Sequence, residues 1–468
     1  MNETSSDLDL VVLGSGPGGY VAALRAAQLG LSVAVVEKDS RPGGTCLHRG
    51  CIPTKAWLHT AELLDDLAHA ADFGVALEGG ARFDGVKARA YRQRVVDKNA
   101  RGVEFLLERG GVRWVSGRGR LAAPGRVEVS GAEGATTLVP RFVILATGSV
   151  PQPLSLAPTD GVRVLDSDQI LETEEAPASL IVLGGGAVGC EFASIFASLG
   201  SRVALVEMLP ALLPAEDAEV SAELERSFRR RGIDVRTSTR LTRVESGPQG
   251  VVATLEGESA GARVEAARLL VAVGRKPVLE DLGLEAAGVR VVDRCVAVDR
   301  WMRTSADGVY AIGDVVKTPW LAHVAMAEGI LAVEHLAGVA HQPIDYDRVP
   351  SATYCDPEVA SVGLTEARAR ERGHPVATGK FPFSASGKAA ILGRTAGFVK
   401  VVRETRYDEV LGVHVIGPHA TDLIAEACVA LRMEATTEEL MRTMHAHPTL
   451  SEAVVEAAHA ALGGALHA

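Results

Sequence analysis

Residues 8–37, LDLVVLGSGPGGYVAALRAAQLGLSVAVVE, align without a gap with residues 178–207, ASLIVLGGGAVGCEFASIFASLGSRVALVE. Each copy contains an apolar strand, a glycine-rich turn, a helix that ends at glycine and a second apolar strand that closes on glutamate. In both copies the turn carries the pattern GxGxxG. The repeat predicts two βαβ units with parallel strands, and therefore an α/β fold.

The glycines of such a turn let the backbone approach a pyrophosphate, and the helix N-terminus supplies N–H groups to it. The acidic residue at the end of the second strand accepts ribose hydroxyls. We therefore expect two dinucleotide sites, built on Gly14, Gly16, Gly19 and Glu37 and on Gly184, Gly186, Gly189 and Glu207. A βαβ unit without a nucleotide is the alternative, and the position of both turns between strand and helix disfavours it.

Glu207 also predicts which nicotinamide cofactor binds the second unit. A carboxylate at this position bonds the ribose 2′-hydroxyl of NAD and repels the 2′-phosphate of NADP. The following segment 208–214, MLPALLP, contains no Arg or Lys that would neutralise that phosphate. NAD is therefore favoured over NADP.

Composition excludes several classes of function. The chain has 468 residues with 48 basic and 59 acidic side chains, a net charge of −11, which argues against a nucleic-acid partner. No apolar run approaches the roughly 18 residues of a membrane span. The first ten residues, MNETSSDLDL, are acidic where a signal peptide needs positive charge, so we expect a cytoplasmic protein.

Two cysteines lie five residues apart in the segment 43–55, GGTCLHRGCIPTK. Such a pair directly after a dinucleotide unit fits a catalytic disulfide, with Cys51 near a helix N-terminus and Lys55 on the same helix face. Half of a zinc site and two buried thiols are the alternatives, and no second ligand pair lies nearby to complete a zinc site. No metal is expected. The other cysteines occur singly and are interpreted as small buried side chains: Cys190, Cys295, Cys355 and Cys428.

Over nearly its whole length the chain resembles the FAD-dependent pyridine nucleotide-disulfide oxidoreductases. The resemblance rests on the repeated GxGxxG turns, the segment 43–55, ATGS at 146–149, YAIGD at 310–314 and HPTLSE at 447–452. It implies that the first βαβ unit binds FAD and the second NAD(P). It also implies that Cys46 is the thiol that exchanges with substrate and that Cys51 lies beside the flavin.

The resemblance extends the two cofactor sites. The further residues that it implies for FAD are Lys38, Gly44, Thr45, Lys55, Gly119, Thr147, Gly148, Ser149, Asp314 and Ala322. Those that it implies for NAD are Glu191, Val244 and Gly274. Asp314 would bind the ribitol, and Lys55 and Glu191 would form an ion pair where the nicotinamide docks.

A catalytic base is implied by the segment HPTLSE. His447 would take the proton of a substrate thiol, and Glu452 would orient its ring and stabilise the imidazolium. The chemistry requires such a base, because a dithiol has a pKa well above neutral pH and only its thiolate attacks a disulfide. For His445 a structural role and a functional one are equally open.

The resemblance also implies the domain order. We expect an FAD-binding domain over 1–150, an NAD-binding domain over 151–278, a central segment 279–349 that completes the FAD domain, and an α+β dimerisation domain over 350–468. The active sites of the homodimer would be shared, with His447 of one chain serving the cysteines of the other.

The branch of the family that oxidises dihydrolipoamide with NAD⁺ is the most similar. The chain has no cysteine after 428, unlike relatives with a C-terminal thiol pair. The implied substrate is a lipoyl domain of a dihydrolipoyl acyltransferase or of a glycine-cleavage carrier protein. An NAD(P)H-dependent reductase of small disulfides, similar to mycothione or glutathione reductase, is the alternative. A flavoprotein with a mainly scaffolding role is a second alternative, which the intact cysteine pair disfavours.

Overall fold

A computed structural model describes residues 8–132, 134–257 and 262–467. Residues 1–7, on which the expectation about a signal peptide rests, lie outside the described residues. The helices are, in chain order, α1 (Pro17–Gln28), α2 (Gly44–His48), α3 (Cys51–Ala68), α4 (Gly85–Arg109), α5 (Ser167–Ile170), α6 (Ala187–Ser198), α7 (Ala218–Arg230), α8 (Ala322–Leu336), α9 (Glu366–Glu371), α10 (Gly387–Ile391), α11 (Ala420–Arg432), α12 (Thr437–Arg442) and α13 (Glu452–Ala461).

The strands are, in the same order, β1 (Leu10–Leu13), β2 (Val33–Glu37), β3 (Arg113–Ser116), β4 (Arg118–Ala123), β5 (Arg126–Gly131), β6 (Gly134–Leu138), β7 (Phe142–Leu145), β8 (Ser149–Pro151), β9 (Val164–Asp166), β10 (Ser179–Leu183), β11 (Arg202–Val206), β12 (Asp234–Arg236), β13 (Arg240–Gly247), β14 (Gly250–Glu256), β15 (Ala262–Ala266), β16 (Arg268–Val271), β17 (Arg275–Pro277), β18 (Val291–Val292), β19 (Cys295–Val296), β20 (Val309–Ala311), β21 (Ser351–Thr353), β22 (Glu358–Gly363), β23 (Val376–Pro382), β24 (Phe398–Glu404) and β25 (Val410–Gly417).

The chain divides into two compact units. The first comprises residues up to Ala56 together with Arg89–Gln152 and Arg275–Tyr346. The second comprises Trp57–Ala88, Pro153–Gly274 and the residues from Asp347 onward. The four segments expected from the sequence, with boundaries at 150, 278 and 349, stay a prediction.

The first unit is built on a parallel five-stranded sheet in the order β20-β7-β1-β2-β3. Alternate residues of β1 enter two different cores: Leu10 and Val12 pack on one face, and Val11 and Leu13 on the other. Both faces are therefore covered, which explains why the strand is apolar throughout rather than alternating. An antiparallel sheet, β4-β5-β6, and two short ladders, β8-β17 and β18-β19, complete the unit.

The second unit repeats this plan with the parallel sheet β12-β11-β10-β16-β9. Leu180 and Val182 of β10 enter one core, and Ile181 and Leu183 enter the other. The internal repeat of the sequence is thus a repeat of structure, with β1-α1-β2 matched by β10-α6-β11. The antiparallel sheet β13-β14-β15 belongs to the same unit.

The C-terminal part of the second unit is a five-stranded antiparallel sheet, β21-β22-β25-β24-β23. Its apolar residues form one core with α11, α12 and α13. Gly379 of β23 lies so close to α13 that a Cβ atom there would overlap the backbone of Ala457 and Ala461. Among the described residues, no helix is both long and apolar enough to cross a membrane.

Candidate active site

The glycines of the first turn serve two different purposes. Gly14 has a φ of +102°, and a Cβ atom there would overlap the carbonyl oxygen of Ala146. A Cβ atom on Gly19 would overlap the carbonyl oxygen of Gly14. Gly16, by contrast, has a φ of −62° and caps α1 without a side-chain hydrogen bond. A Cβ atom on Gly16 would meet nothing within 4 Å, so this glycine leaves open the space in front of the helix N-terminus that a pyrophosphate requires.

Glu37 ends β2 and is buried, with 6% of its surface exposed. Its Oε2 accepts hydrogen bonds from the amide and the hydroxyl of Ser15 at 2.8 and 2.7 Å, and its Oε1 accepts one from the amide of Asp39 at 2.9 Å. These donors fix the carboxylate at the end of the strand, where it accepts ribose hydroxyls in dinucleotide sites. Lys38 pairs with Asp39 at 2.7 Å and is more exposed.

The cysteine segment packs directly on the first glycine turn. The amide of Gly43 donates to the carbonyl of Ser15 at 2.9 Å. Gly44 has a φ of +58°, and a Cβ atom there would lie 2.6 Å from the Cα of Gly16. Gly44 and Thr45 open α2, which carries Cys46, and α3 begins at Cys51. The two thiols therefore lie beside the predicted FAD unit.

The side chains of Cys46 and Cys51 are hydrogen-bonded to each other. The hydrogen bond to Cys51 and burial raise the pKa of Cys46 far above its ordinary value, while the positive charge of Lys55 opposes the shift. The two sulfurs therefore lie side by side, as a catalytic disulfide pair requires.

Three chain segments meet at the predicted ribitol site. The hydroxyl of Ser149 donates to Oδ2 of Asp314 at 2.5 Å, and the hydroxyl of Thr147 donates to the carbonyl of Val278 at 2.7 Å. The amide of Val278 in turn donates to the carbonyl of Gly148 at 2.9 Å. The structure therefore brings together three predicted FAD residues and Asp314.

A buried carboxyl group holds the turn that carries Asp314. Oε2 of Glu328 accepts from the amide of Gly313 at 2.7 Å, and its Oε1 accepts from the hydroxyl of Tyr346 at 2.9 Å. Glu328 is completely buried. Burial raises the pKa of Glu328, and the negative charge of Asp314 adds to the increase.

Two other residues predicted for FAD lie elsewhere in the first unit. Ala322 is the first residue of α8, whose N-terminus has no side-chain cap. Gly119 lies in β4, where a Cβ atom would come within 2.7 Å of Leu13 and 3.0 Å of Val36. Gly119 therefore packs closely against β1 and β2.

The second glycine turn repeats the geometry of the first. Gly184 has a φ of +106°, and a Cβ atom there would overlap the carbonyl oxygen of Ala272. A Cβ atom on Gly189 would overlap the carbonyl oxygen of Gly184. Cβ atoms on Gly186 and Gly274 would meet nothing within 4 Å. These two glycines leave space at the carboxyl ends of β10 and β16, where nucleotides bind to parallel sheets.

Glu207 corresponds to Glu37 in position and in contacts. Its Oε2 accepts from the amide of Gly185 at 2.6 Å and its Oε1 from the amide of Leu209 at 2.7 Å. Two apolar side chains that follow the strands β11 and β16 are exposed, 68% for Met208 and 41% for Val273. A carboxylate that can accept ribose hydroxyls, next to exposed apolar surface, is typical of a nucleotide-binding site.

The other residues predicted for NAD have the following surroundings. Glu191 is buried in α6, and its Oε1 accepts from the amide of Tyr354 at 3.1 Å. Val244 lies in β13 and is partly buried. It packs against the core between the parallel sheet and the sheet β13-β14-β15 of the second unit. Its contacts in this structure are those of a core residue.

The predicted base forms a compact motif. Nδ1 of His447 lies 2.8 Å from Oε1 of Glu452, and the amide of Thr449 donates to Oε2 of Glu452 at 2.8 Å. Burial raises the pKa of Glu452, but the Thr449 amide and His447 outweigh it and leave this pKa below its ordinary value. His447 itself is 80% exposed. The motif is therefore a histidine oriented by a carboxylate and presented at the surface of the chain.

His445 has a carboxylate partner of its own. Its Nε2 lies 2.6 Å from Oε1 of Glu426, and its Nδ1 lies 2.9 Å from the carbonyl of Thr443. Both nitrogens are engaged within the same domain, which favours the structural interpretation.

Among the single cysteines, Cys190, Cys295 and Cys355 are buried, whereas Cys428 is only partly buried, so the expectation of a buried thiol was wrong there. Within the described ranges, no three His, Cys, Asp or Glu side chains are grouped to hold a metal ion.

Sequence reasoning missed the residues that hold the predicted site in place. Ser15 fixes Glu37, Glu328 and Tyr346 fix the Gly313 turn, and Arg275 donates to Ser149. The signal for Arg275 was its position directly after Gly274, at the end of an apolar strand. Glu328 carried no signal, because a glutamate in a helix is ordinarily a surface residue.

The pyridine nucleotide-disulphide oxidoreductase model matches residues 8–329, and the model of the dimerisation domain of the same family matches residues 349–458. The chain therefore belongs to the pyridine nucleotide-disulphide oxidoreductases. The expected α/β fold class, the homodimer and the use of FAD and NAD are thereby confirmed.

Several known proteins are similar to the chain over nearly its whole length. The dihydrolipoyl dehydrogenase of Bacillus subtilis (strain 168) is 44% identical over 475 residues, covering 99% of this chain and all of that protein. The dihydrolipoyl dehydrogenase of Thermus scotoductus is 47% identical over 463 residues, covering 98% of each chain. The crystal structure of LpdA from Mycobacterium tuberculosis has a TM-score of 0.90 at 30% identity and covers 97% of this chain and 99% of that one.

Proposed function

We propose that this chain oxidises dihydrolipoyl groups to lipoyl groups with NAD⁺ as the electron acceptor, as dihydrolipoyl dehydrogenases do. The observation that carries the proposal is the hydrogen-bonded thiol pair of Cys46 and Cys51, packed against the first glycine turn of an FAD- and NAD-dependent enzyme. A dithiol substrate and a dithiol in the protein exchange electrons by the same chemistry, nucleophilic attack on sulfur.

The thiol step begins with the Cys46–Cys51 pair as a disulfide. A substrate thiolate attacks the sulfur of Cys46, forms a mixed disulfide and releases Cys51 as a thiolate. The second substrate thiol then displaces Cys46, which closes the lipoyl disulfide and leaves both cysteines reduced. Two electrons and two protons have left the substrate.

His447 is the proposed base for this step. Its Nδ1 donates to Glu452, so the neutral ring has its lone pair on Nε2, the nitrogen that accepts the proton of a substrate thiol. Glu452 stabilises the imidazolium that results. Because the amide of Thr449 holds the second carboxylate oxygen, the ring is oriented before the substrate arrives.

The residues for the cofactors fit their assigned groups. Gly16 and Glu37 would hold the pyrophosphate and a ribose of FAD, and Gly186 and Glu207 those of NAD. Bound FAD supplies the connection between thiols, which react as nucleophiles, and NAD⁺, which accepts hydride. The open space at both helix N-termini and the buried acid beside each turn support this assignment.

The homodimer is proposed to share its two active sites. In this arrangement Cys46 and Cys51 of one chain work with His447 and Glu452 of the other, related by a twofold axis. The exposure of His447, 80% in the single chain, supports the proposal, because a base that served its own chain alone would be expected in a cleft of that chain. The substrate dithiol would arrive on a lipoyl domain of an acyltransferase or of a glycine-cleavage carrier protein. A cytoplasmic location stays a prediction.

Steady-state assays with purified enzyme test the proposal. We expect NADH to form from dihydrolipoamide and NAD⁺ with a kcat/KM at least tenfold above that for NADP⁺. The alternative, a reductase of small disulfides, predicts faster oxidation of NADPH with oxidised glutathione or mycothione than NAD⁺ reduction with dihydrolipoamide. Lack of turnover in both assays, with FAD bound, would favour the scaffolding role.

A further inference from the structure

Arg275 occupies a position that links two segments of the predicted FAD site. Its Nε donates to the hydroxyl of Ser149 at 2.7 Å, and its Nη2 donates to the carbonyl of Ser149 at 2.8 Å. Among the described residues, the guanidinium of Arg275 has no other hydrogen-bond or ion-pair partner. Both contacts of this cation are therefore made to one buried serine, of which 4% is exposed.

Ser149 connects Arg275 to Asp314. Its hydroxyl has one proton, which it donates to Oδ2 of Asp314 at 2.5 Å, while its oxygen accepts from Arg275. The direction is unambiguous, because a guanidinium only donates and a carboxylate only accepts. Arg275, Ser149 and Asp314 thus form a chain of two charge-assisted hydrogen bonds, which polarise each other in the same direction.

The backbone on both sides of this chain is already fixed. β8 and β17 pair from Ser149–Pro277 to Pro151–Arg275, and Glu328 holds the amide of Gly313. The remaining freedom at Asp314 is the orientation of its side chain. Within the described part of the chain, Oδ1 of Asp314 has no hydrogen-bond partner, and Ser149 decides where that oxygen lies.

We infer that Arg275 is a positioning residue for FAD, which acts through Ser149 to orient the carboxylate of Asp314. The inference rests on the proposed role of Asp314 in binding the ribitol. Arg275 makes no contact with the cofactor in this assignment. Its removal should weaken FAD binding without changing the chemistry of enzyme that is saturated with FAD.

The test measures FAD release from the holoenzyme by the fluorescence of the freed cofactor on dilution. Loss of a hydrogen bond with a charged partner predicts that Arg275→Gln raises the dissociation constant of FAD about tenfold or more. With excess FAD, kcat should return to within about twofold of wild type. Arg275→Lys keeps the charge but cannot make both contacts, so its dissociation constant for FAD should lie between those of wild type and Arg275→Gln. It replaces Arg275→Gln in the test if that variant does not fold.

Lys276→Gln is the matched control. It removes the same charge one residue along the chain, where Lys276 makes a half-exposed pair with Glu280 at 3.0 Å. FAD release should be unchanged in this variant. An equal effect of Lys276→Gln and Arg275→Gln would assign the change to net charge and overturn the inference.

A double-mutant cycle tests the route through the hydroxyl. In a Ser149→Ala background, Arg275→Gln should change FAD release by less than about threefold, because the link to Asp314 is already lost. Additive effects would overturn the relay. Asp314→Ala separates the role of Asp314 in FAD binding from the role of Arg275. If Asp314→Ala leaves FAD binding unchanged while Arg275→Gln weakens FAD binding, Arg275 does not act through Asp314. If neither variant changes FAD binding, the role of Asp314 fails together with the inference, whereas turnover of dihydrolipoamide tests the proposed function separately.

Discussion

Nδ1 of His447 donates a hydrogen bond of 2.8 Å to Oε1 of Glu452. Five residues separate the two in sequence, and the turn between them brings the amide of Thr449 onto the second oxygen of the same carboxylate. The ring is therefore fixed in one tautomer, with Nε2 as its basic nitrogen. The carboxylate that orients it has a pKa below its ordinary value, so it stays charged at working pH.

His447→Gln should lower kcat for dihydrolipoamide oxidation by about 10² to 10⁴, the range for loss of a general base. Glu452→Gln keeps the shape of the side chain but not its charge, and it should lower kcat by a smaller factor. His467→Gln is the matched control, because His467 makes a similar 2.7 Å contact with Glu456 and is 72% exposed. Stopped-flow reduction of the enzyme by dihydrolipoamide measures the step directly. Equal losses in the His447 and His467 variants would contradict the assignment of the base.

Glu207 should determine the choice of nicotinamide cofactor. Glu207→Ala combined with Met208→Arg removes the ribose acceptor and introduces a cation at an exposed neighbouring position. The ratio of kcat/KM should shift from NAD toward NADP by on the order of 2 to 4 kcal/mol. Steady-state kinetics with both cofactors provide the measurement. A wild type that already prefers NADP would be incompatible with this role and would favour the disulfide reductase.

Two glycines of the second turn should respond differently to the same substitution. Gly186→Ala adds a methyl group to open space, so it should raise the KM for NAD⁺ roughly tenfold and leave the Tm nearly unchanged. Gly184→Ala, with a φ of +106°, should destabilise the fold by about 2 kcal/mol or more. Thermal unfolding and NAD⁺ titration separate the two effects. If Gly186→Ala unfolds the protein as readily as Gly184→Ala, the open space does not serve the nucleotide.

The sequence predicted the fold well where one local pattern determined the structure. The repeat 8–37 and 178–207 predicted β1-α1-β2 and β10-α6-β11, because strands buried on both faces must be apolar throughout and the turns need glycine. The cysteine segment likewise predicted a helix N-terminus close to Cys51, and α3 begins at that residue.

The interactions that stabilise the site could not be predicted in the same way. Arg275 and Ser149 are 126 residues apart in sequence, and Gly313 and Glu328 meet only because α8 folds back over the turn. A contact between distant residues leaves no periodic trace in either segment. The buried Glu328 is also contrary to the usual exposure of a helical glutamate, so its environment followed only from the folded chain.

The two sulfurs should be distinguishable by spectroscopy. Addition of two electron equivalents to the yellow holoenzyme should give a broad long-wavelength absorbance from a Cys51 thiolate next to oxidised flavin. The expectation follows from the position of Cys51 at the start of α3, because a helix N-terminus stabilises a thiolate. Cys51→Ser should abolish the band, whereas Cys46→Ser should retain it. The opposite pattern in an anaerobic titration would reverse the roles of the two cysteines.

The shared active site is the central claim, and co-expression of two inactive chains tests it most directly. Cys46→Ala and His447→Gln should each give a nearly inactive homodimer. In a mixed dimer one site then has both defects, while the other combines an intact cysteine pair with an intact His447. Random assortment makes half of the dimers mixed, so activity should recover to roughly a quarter of wild type. If each site were built within one chain, every site would keep a defect, and verified mixed dimers without recovered activity would contradict the account.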